Sequence, residues 1–491
     1  MRFGLVLVLL TAPLAAQTQE HHNHAVSASE IGEVRFPTTC PADTAKSVET
    51  GVALLHSFWY GEAERNFRRA IQSDKQCAMA YWGVAMSQYY PLWPTPLTPE
   101  RLRIGSEAIN TAHTLTSGSP RERAYVDALS AFYEQPAGTS VHDRAVKYEG
   151  AMAALTAQYP DDDEAAIFYA LALNGAALPT DKTYARQKQA AAILNRLLPA
   201  HPRHPGIIHY LIHSNDTPEL APLALDAARA YAKIAPSVAH ALHMPSHIFT
   251  RLGLWDESVA SNLQAAKAAR EHHEVDEQLH AMDYLEYAYL QLGRFADAKR
   301  VVAEMQALPV RQPDTKIAYA VAAIPARYAL ERHDWRAAAA LTPATGNNPR
   351  TAALTQFAIG IGAARSGDVA AAKRAESALT GEVETLTRDG DNLWRSQVSA
   401  QQMSVAAWRL FAEGHRDEAV TMMRSAADEE DRSIKPAVTP GALLPARELL
   451  ADMLLEMRRT DDALTEYKAV LAVAPNRRNA LAGQARANQP Q

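Results

Sequence analysis

The sequence predicts an all-α solenoid, a right-handed superhelix built of stacked helical hairpins. Three observations lead there. Of the 491 residues 47% are hydrophobic, alanine is abundant, and the alternating Val/Ile/Thr pattern of half-buried strands is scarce. From Thr44 onward a recurring phrase closes a helix on a Gly or polar turn, adds a bulky residue, and sets a small one three places later. Finally, HPGIIHYLIHSND (204–216) and HALHMPSHIFTRLG (240–253) place His209 and His213 34 residues ahead of His243 and His247, residue for residue. Self-similarity at one period of this size marks a two-helix unit that cannot bury its apolar face alone and must stack.

Met1-Arg2 followed by FGLVLVLLTAPLAA has the basic start, short apolar run and small-residue end of a secretory signal, with cleavage expected after Ala16. The expected location is therefore outside the cytoplasm, periplasmic or secreted. No later apolar run reaches eighteen residues, so no membrane span is expected. Residues 17–43 read as a flexible, polar segment whose His21, His22 and His24 bind metal weakly at best. Cys40 and Cys77 flank the first predicted hairpin, which puts both at one end of it. A disulfide in an oxidising compartment would close a loop worth about 3–4 kcal/mol, two buried thiols being the alternative.

VETGVALLHSFWYGEAERNFRRAIQSDK (48–75) resembles the tetratricopeptide consensus. Gly51 stands at its eighth position, Ala63 at its twentieth, Phe67 at its twenty-fourth and Ala70 at its twenty-seventh. Small residues let the two helices approach, and aromatics fill the groove between units. A second unit begins near Gln76 with Trp82-Gly83, and runs into the prolines of PLWPTPLTPE. Residues 101–200 read as longer, less regular pairs divided by QPAGT, Tyr159-Pro160 and LPTDK. The phrase returns in 289–302, 328–341, 358–375, 410–423 and 453–476, giving nine or ten units over 44–484. Residues 485–491 are expected to fray.

Ten of the eighteen histidines lie between His201 and His280. Registering three central units at Pro205, Ala239 and Leu279 makes their second, fifth and ninth positions face the concave groove, 201–290. They read Gly206, His209, His213; His240, His243, His247; and His280, Asp283, Tyr287. Neighbouring helices pack about 8–10 Å apart, so imidazoles from successive units can meet at one ion. His209, His213, His240, His243, His247, His280 and Asp283 are thus candidate ligands for a divalent transition metal, Zn or Cu ahead of Fe or Ni. Six histidines exceed one tetrahedral shell, which points to two metals or to histidines that orient others. Pro245 removes the hydrogen bond to the Ala241 carbonyl and predicts a kink among the ligands. His201, His204, His272 and His273 read as solvated turn residues, and His56 has no evident partner.

Lesser candidates are Arg327, for a substrate carboxylate, and Glu448 with Asp452, two carboxylates at helical spacing on the last unit's groove face. Phe58, Trp59, Tyr60 and Trp82 read as core. A net charge of −6 disfavours nucleic-acid binding, and GxSxG, P-loop, Rossmann and HExxH motifs are absent from the sequence.

FPTTC, LLHSFWYGEA, CAMAYWGVAMS, HPGIIHYLIHSND, HALHMPSHIFTRLG and HAMDYLEYAYLQLG together resemble a group of exported bacterial tetratricopeptide-repeat proteins, over most of residues 36–300. The resemblance implies a superhelix with a concave binding surface for a peptide, protein or small molecule, and implies no reaction. Three uses follow. The histidine-lined groove binds a metal that organises ligand or partner binding. Or it is a metal-dependent hydrolytic or oxidative enzyme, with Asp283 as base and Tyr287 as donor. Or it is a metal-free peptide scaffold.

Overall fold

A computed structural model describes residues 27–92, 97–115, 117–310, 315–343, 348–432, 435 and 438–489. The expected signal segment 1–16 and His21, His22 and His24 lie outside the described residues. Every regular element among those described is helical, and the helices follow one another as antiparallel hairpins. They run from Ala42–His56 with Tyr60–Ser73 to Ala446–Glu456 with Thr460–Val473, and a single helix, Arg478–Ala487, closes the series. The all-α solenoid of hairpins is therefore the architecture. Eleven hairpins are present among the described residues, more than the nine or ten read from the sequence, because the irregular pairs of 101–200 are full units. No described helix is long and apolar enough to cross a membrane.

Helix starts follow the local chemistry of the chain. Ser119 precedes Pro120 and forms a reciprocal capping box with Glu122. Thr98-Pro99 and His204-Pro205 start helices in the same way, His204 Nδ1 accepting the Ile207 amide at 3.3 Å. Close hairpin packing depends on glycine at Gly83, where an added Cβ would fall 2.2 Å from the Phe67 ring. Gly253 combines φ +66° with a carbonyl contact, a Cβ there falling 2.1 Å from the Pro475 oxygen.

The structure departs from the sequence expectations in three ways. Residues 32–41, expected to be flexible, run as a packed strap. Phe36 stacks on Trp82 at 5.4 Å, the Thr39 amide donates to Glu122 at 2.7 Å, and the Glu33 amide donates to the Arg203 carbonyl at 3.0 Å. Phe36 supplies the apolar anchor that a reading by polarity alone passes over. Residues 485–487, expected to fray, remain helical, with Ala487 buried.

The third departure matters most for the site. Residues 438–444 and 475–479 fold back on the central hairpins. Tyr284 donates to the Thr439 carbonyl at 3.0 Å, Trp255 to the Asn476 carbonyl at 3.0 Å, and Arg477 to Tyr287 at 3.1 Å. The inner face beside the histidines is thereby covered by the chain itself.

Candidate metal centre

The histidines come from three consecutive first helices: Pro205–Ser214, the pair Ala239–His243 and Pro245–Arg251, and Val275–Gln291. Pro245 interrupts the middle one. Met244 keeps right-handed helical angles, but the His247 amide bonds back to the Met244 carbonyl at 3.1 Å, a tightened i to i−3 turn. Spacing of four puts each His pair on one helix face, and stacking brings the faces together.

Two trios result. The nearest ligand atoms of His209, His213 and His240 lie within 4.8 Å of one another, as do those of His243, His247 and His280. Nε2 of His209 is 3.1 Å from Nε2 of His213, and Nε2 of His243 is 3.1 Å from Nε2 of His247. Metal–imidazole bonds of about 2.0–2.1 Å set a tetrahedral N···N edge of about 3.3–3.4 Å, so both pairs are close to chelating geometry. The trios adjoin each other. Ring centroids of His213 and His247 are 6.1 Å apart, and those of His240 and His243 6.2 Å, within the 4.2–6.2 Å spread found inside the second trio.

Behind the rings stand acceptors. His209 Nδ1 donates to the His56 carbonyl at 2.6 Å, His243 Nδ1 to Asn262 Oδ1 at 2.7 Å, His247 Nδ1 to Asp216 at 2.9 Å, and His240 Nδ1 meets Glu277 at 3.4 Å. Asn262 is oriented by its own amide, which donates to the Ser258 carbonyl at 2.8 Å. Such partners fix the tautomer and turn Nε2 inward, as they do behind metal-ligating imidazoles.

The surroundings are dry. His209, His240, His243, His247 and His280 are all buried, and Phe58 stacks on His213 and His240 at 5.5 and 5.6 Å. Tyr284 covers His243 and His247 at 4.7 and 4.9 Å. Burial pushes His247 down to about 4 despite Asp216 beside it, and holds His209, His213, His243 and His280 well below the usual imidazole value, neighbouring rings adding to the effect. Burial alone raises a carboxylate, yet Lys435, Arg251 and His247 hold Asp216 far below its ordinary range. Lys316 and His240 do the same for Glu277.

Several sequence expectations are corrected here. Five of the six histidines are buried and His213 is half-buried, so they do not line an open groove; Phe58, Tyr284 and Lys435 stand over them. Asp283 belongs to neither trio; its carboxylate is held by Arg327, and burial raises its pKa. Tyr287 serves Arg477, so neither residue is placed to act as base or donor at the histidines. Arg327 is fully buried between Asp283 and Glu286, and no carboxylate of a substrate reaches it. Glu448 is buried against Arg477 at 2.6 Å, and Asp452 takes the Tyr467 hydroxyl at 2.5 Å. Long apolar stems and aromatic neighbours make these charges interior ties between units.

His204 is likewise buried, not solvated, and His56 has partners. Glu164 accepts from both, from His56 Nε2 at 3.0 Å and His204 Nε2 at 2.9 Å, while the Tyr210 hydroxyl donates to His56 Nδ1 at 2.9 Å. Burial pushes Glu164 up, but the two imidazoles overturn this and hold it far below the carboxylate range. Each nitrogen of this third trio is engaged within the protein, so it reads as a structural knot. His201 pairs with Asp163 at 2.7 Å, and His272 and His273 are exposed as expected. The sequence offered one sign of the residues it missed, Asp216 closing the HSND phrase. Asn262, Glu277, Tyr284 and Phe58 gave none.

No family model matches the chain, and no curated protein does. It is similar over 94% of its length to a chain in the crystal structure of the APC/C hetero-tetramer Cut9-Hcn1, covering 79% of that chain at 13% identity and a TM-score of 0.38. It is also similar over 91% of its length to the P58(IPK) TPR domain, covering 97% of that chain at 13% identity and a TM-score of 0.23. Likeness this distant leaves function to be read from the site.

Proposed function

We propose that this protein binds a pair of transition-metal ions, one in each of the two histidine trios. One observation carries the reading. His243 and His247 each give the Nδ1 proton to a group that only accepts, the Asn262 carbonyl oxygen and the Asp216 carboxylate. With both rings neutral, their Nε2 lone pairs face each other at 3.1 Å. That contact is repulsive unless a cation lies between them, and burial opposes a proton there. A metal ion satisfies both nitrogens and uses the tautomers already set.

Zinc, copper, iron and nickel all accept imidazole; the missing thiolate and carboxylate argue against a structural zinc finger or a calcium-type site. Three protein donors per ion leave a further coordination position, so a ligand-binding or catalytic use of the ions is consistent with the site, and the Tyr284 ring packs against His243 and His247. Peptide binding across the histidines is disfavoured by the returning segment 438–444, whose Thr439 carbonyl takes the Tyr284 hydroxyl beside the rings.

The chain is further inferred to work outside the cytoplasm, as expected of the exported bacterial group it resembles. The Cys40–Cys77 disulfide, with Cα atoms 5.2 Å apart, supports this, since such bonds persist in oxidising compartments. The test is metal analysis of protein purified without a polyhistidine tag, beside a His243→Ala/His247→Ala variant. Two equivalents in the parent and about one in the variant are expected; no stoichiometric metal after incubation with Zn or Cu would overturn the reading.

A further inference from the structure

We infer that the resident ions are copper in its monovalent state, an inference that rests on the metal site proposed above. The first argument is the donor set. Both trios consist of imidazole nitrogens alone, neutral and moderately soft, with no carboxylate among them. Iron of the two-histidine, one-carboxylate type, manganese and magnesium all call for oxygen donors that the trios lack.

The second argument is charge. Asp216 and Glu277 touch the rings, and both are already paired inside the protein. Asp216 pairs with Arg251 at 2.8 Å and Lys435 at 3.2 Å. Glu277 pairs with Lys316 at 2.5 Å, and that lysine also meets the half-exposed Asp276 at 3.5 Å. Each carboxylate that touches a ring is thus already paired with a cationic side chain before any ion enters. Two divalent ions would bring four positive charges beside carboxylates that are already paired, whereas two monovalent ions bring two. Burying unanswered charge is the most expensive step a folded protein takes, so the lower valence is preferred.

The third argument is coordination. A filled-shell monovalent copper ion is content with three nitrogens and needs no bound water. Phe58 and Tyr284 wall the trios with aromatic carbon, a lining that suits an ion with few bound waters. Each ion is thus held by one trio, with the second ion in the adjoining one.

Anaerobic titration of the full chain with Cu(I) against a chromophoric Cu(I) chelator tests this, run beside Zn(II) against a zinc chelator. Two Cu(I) per chain are expected, falling to about one in His209→Gln/His213→Gln and about one in His243→Gln/His247→Gln, with Zn(II) at least tenfold weaker. Copper K-edge absorption of the loaded parent, which needs no variant to fold, is expected to show monovalent copper with three nitrogen neighbours. Tight two-equivalent Zn(II) or Cu(II) binding with weak Cu(I) binding would overturn the copper(I) assignment and leave the metal site standing. Failure of every ion to bind would overturn both.

Discussion

Replacing Asn262 by leucine probes the tautomer argument without touching a ligand. Asn262 is fully buried, and its Oδ1 takes the His243 Nδ1 proton at 2.7 Å. Leucine has nearly the same volume but cannot accept. Ser246 Oγ, 3.5 Å from Nδ1, is too distant to replace it well. In the metal-bound protein His243 still coordinates through Nε2, so its Nδ1–H is left buried without a good acceptor, at a cost of about 1–3 kcal/mol. The dissociation constant of an ion in the second trio is then expected to rise roughly 5- to 150-fold. The metal-free protein escapes that penalty, because the proton moves to Nε2 and donates across the 3.1 Å gap to His247. Chelator-competition titration measures the first effect and urea unfolding of the metal-free protein the second. Asn262→Asp keeps the acceptor and is expected to bind at least as tightly as the parent. Wild-type affinity in the leucine variant, or loss of affinity in the aspartate variant, would refute the argument.

Other expectations follow from the same geometry. Protons compete with a metal only below the pKa of the metal-free ligand. In the second trio His247 lies near 4 and His243 and His280 are held well below 6.5, so affinity there should fall far less between pH 7.5 and 5.5 than for exposed histidines. Three exposed histidines would lose about a thousandfold by pH 5.5, and such a loss in the titration would contradict the buried site. Arg477→Met should destabilise the protein by about 3–5 kcal/mol in denaturant unfolding, because it strands Glu331 and Glu448 inside the fold. Gly83→Ala should cost about 1–3 kcal/mol, since the new methyl meets the Phe67 ring; an unchanged urea midpoint would show that the hairpin packs more loosely than described. Chelation of metal from the loaded protein should lower stability by about 2.7 kcal/mol per ion if free metal stood at 100 times the dissociation constant, read as a shift in Tm.

Much of the molecule is legible before folding is considered. Helical spacing, the Ser/Thr-Pro starts and the 34-residue offset are local properties of the chain, so the hairpin architecture and the register of the six histidines follow from adjacency along it. The burial of the rings does not. Phe36 in the strap, Phe58 in the turn at Ser57–Trp59, and residues 438–444 reach the centre from far along the chain, and no periodic signal announces where a returning segment lands. Asp283 shows the limit most plainly. Its position in the repeat matches that of His243, yet Arg327, 44 residues on, captures it.

By itself the sequence determined the repeat, the face each histidine occupies, and the chance that three helices offer imidazoles to one space, because those depend on spacing of three to thirty-four residues. Tertiary structure alone decided that five of the six rings are buried, that the six divide into two trios, and that Asp216, Asn262 and the His56 carbonyl stand behind them. Those partners are set by the superhelix turning back on itself. The His209–His56 bond spans 153 residues and the Lys435–Asp216 contact 219, and contacts of that reach depend on the summed curvature of many hairpins, which no single repeat encodes.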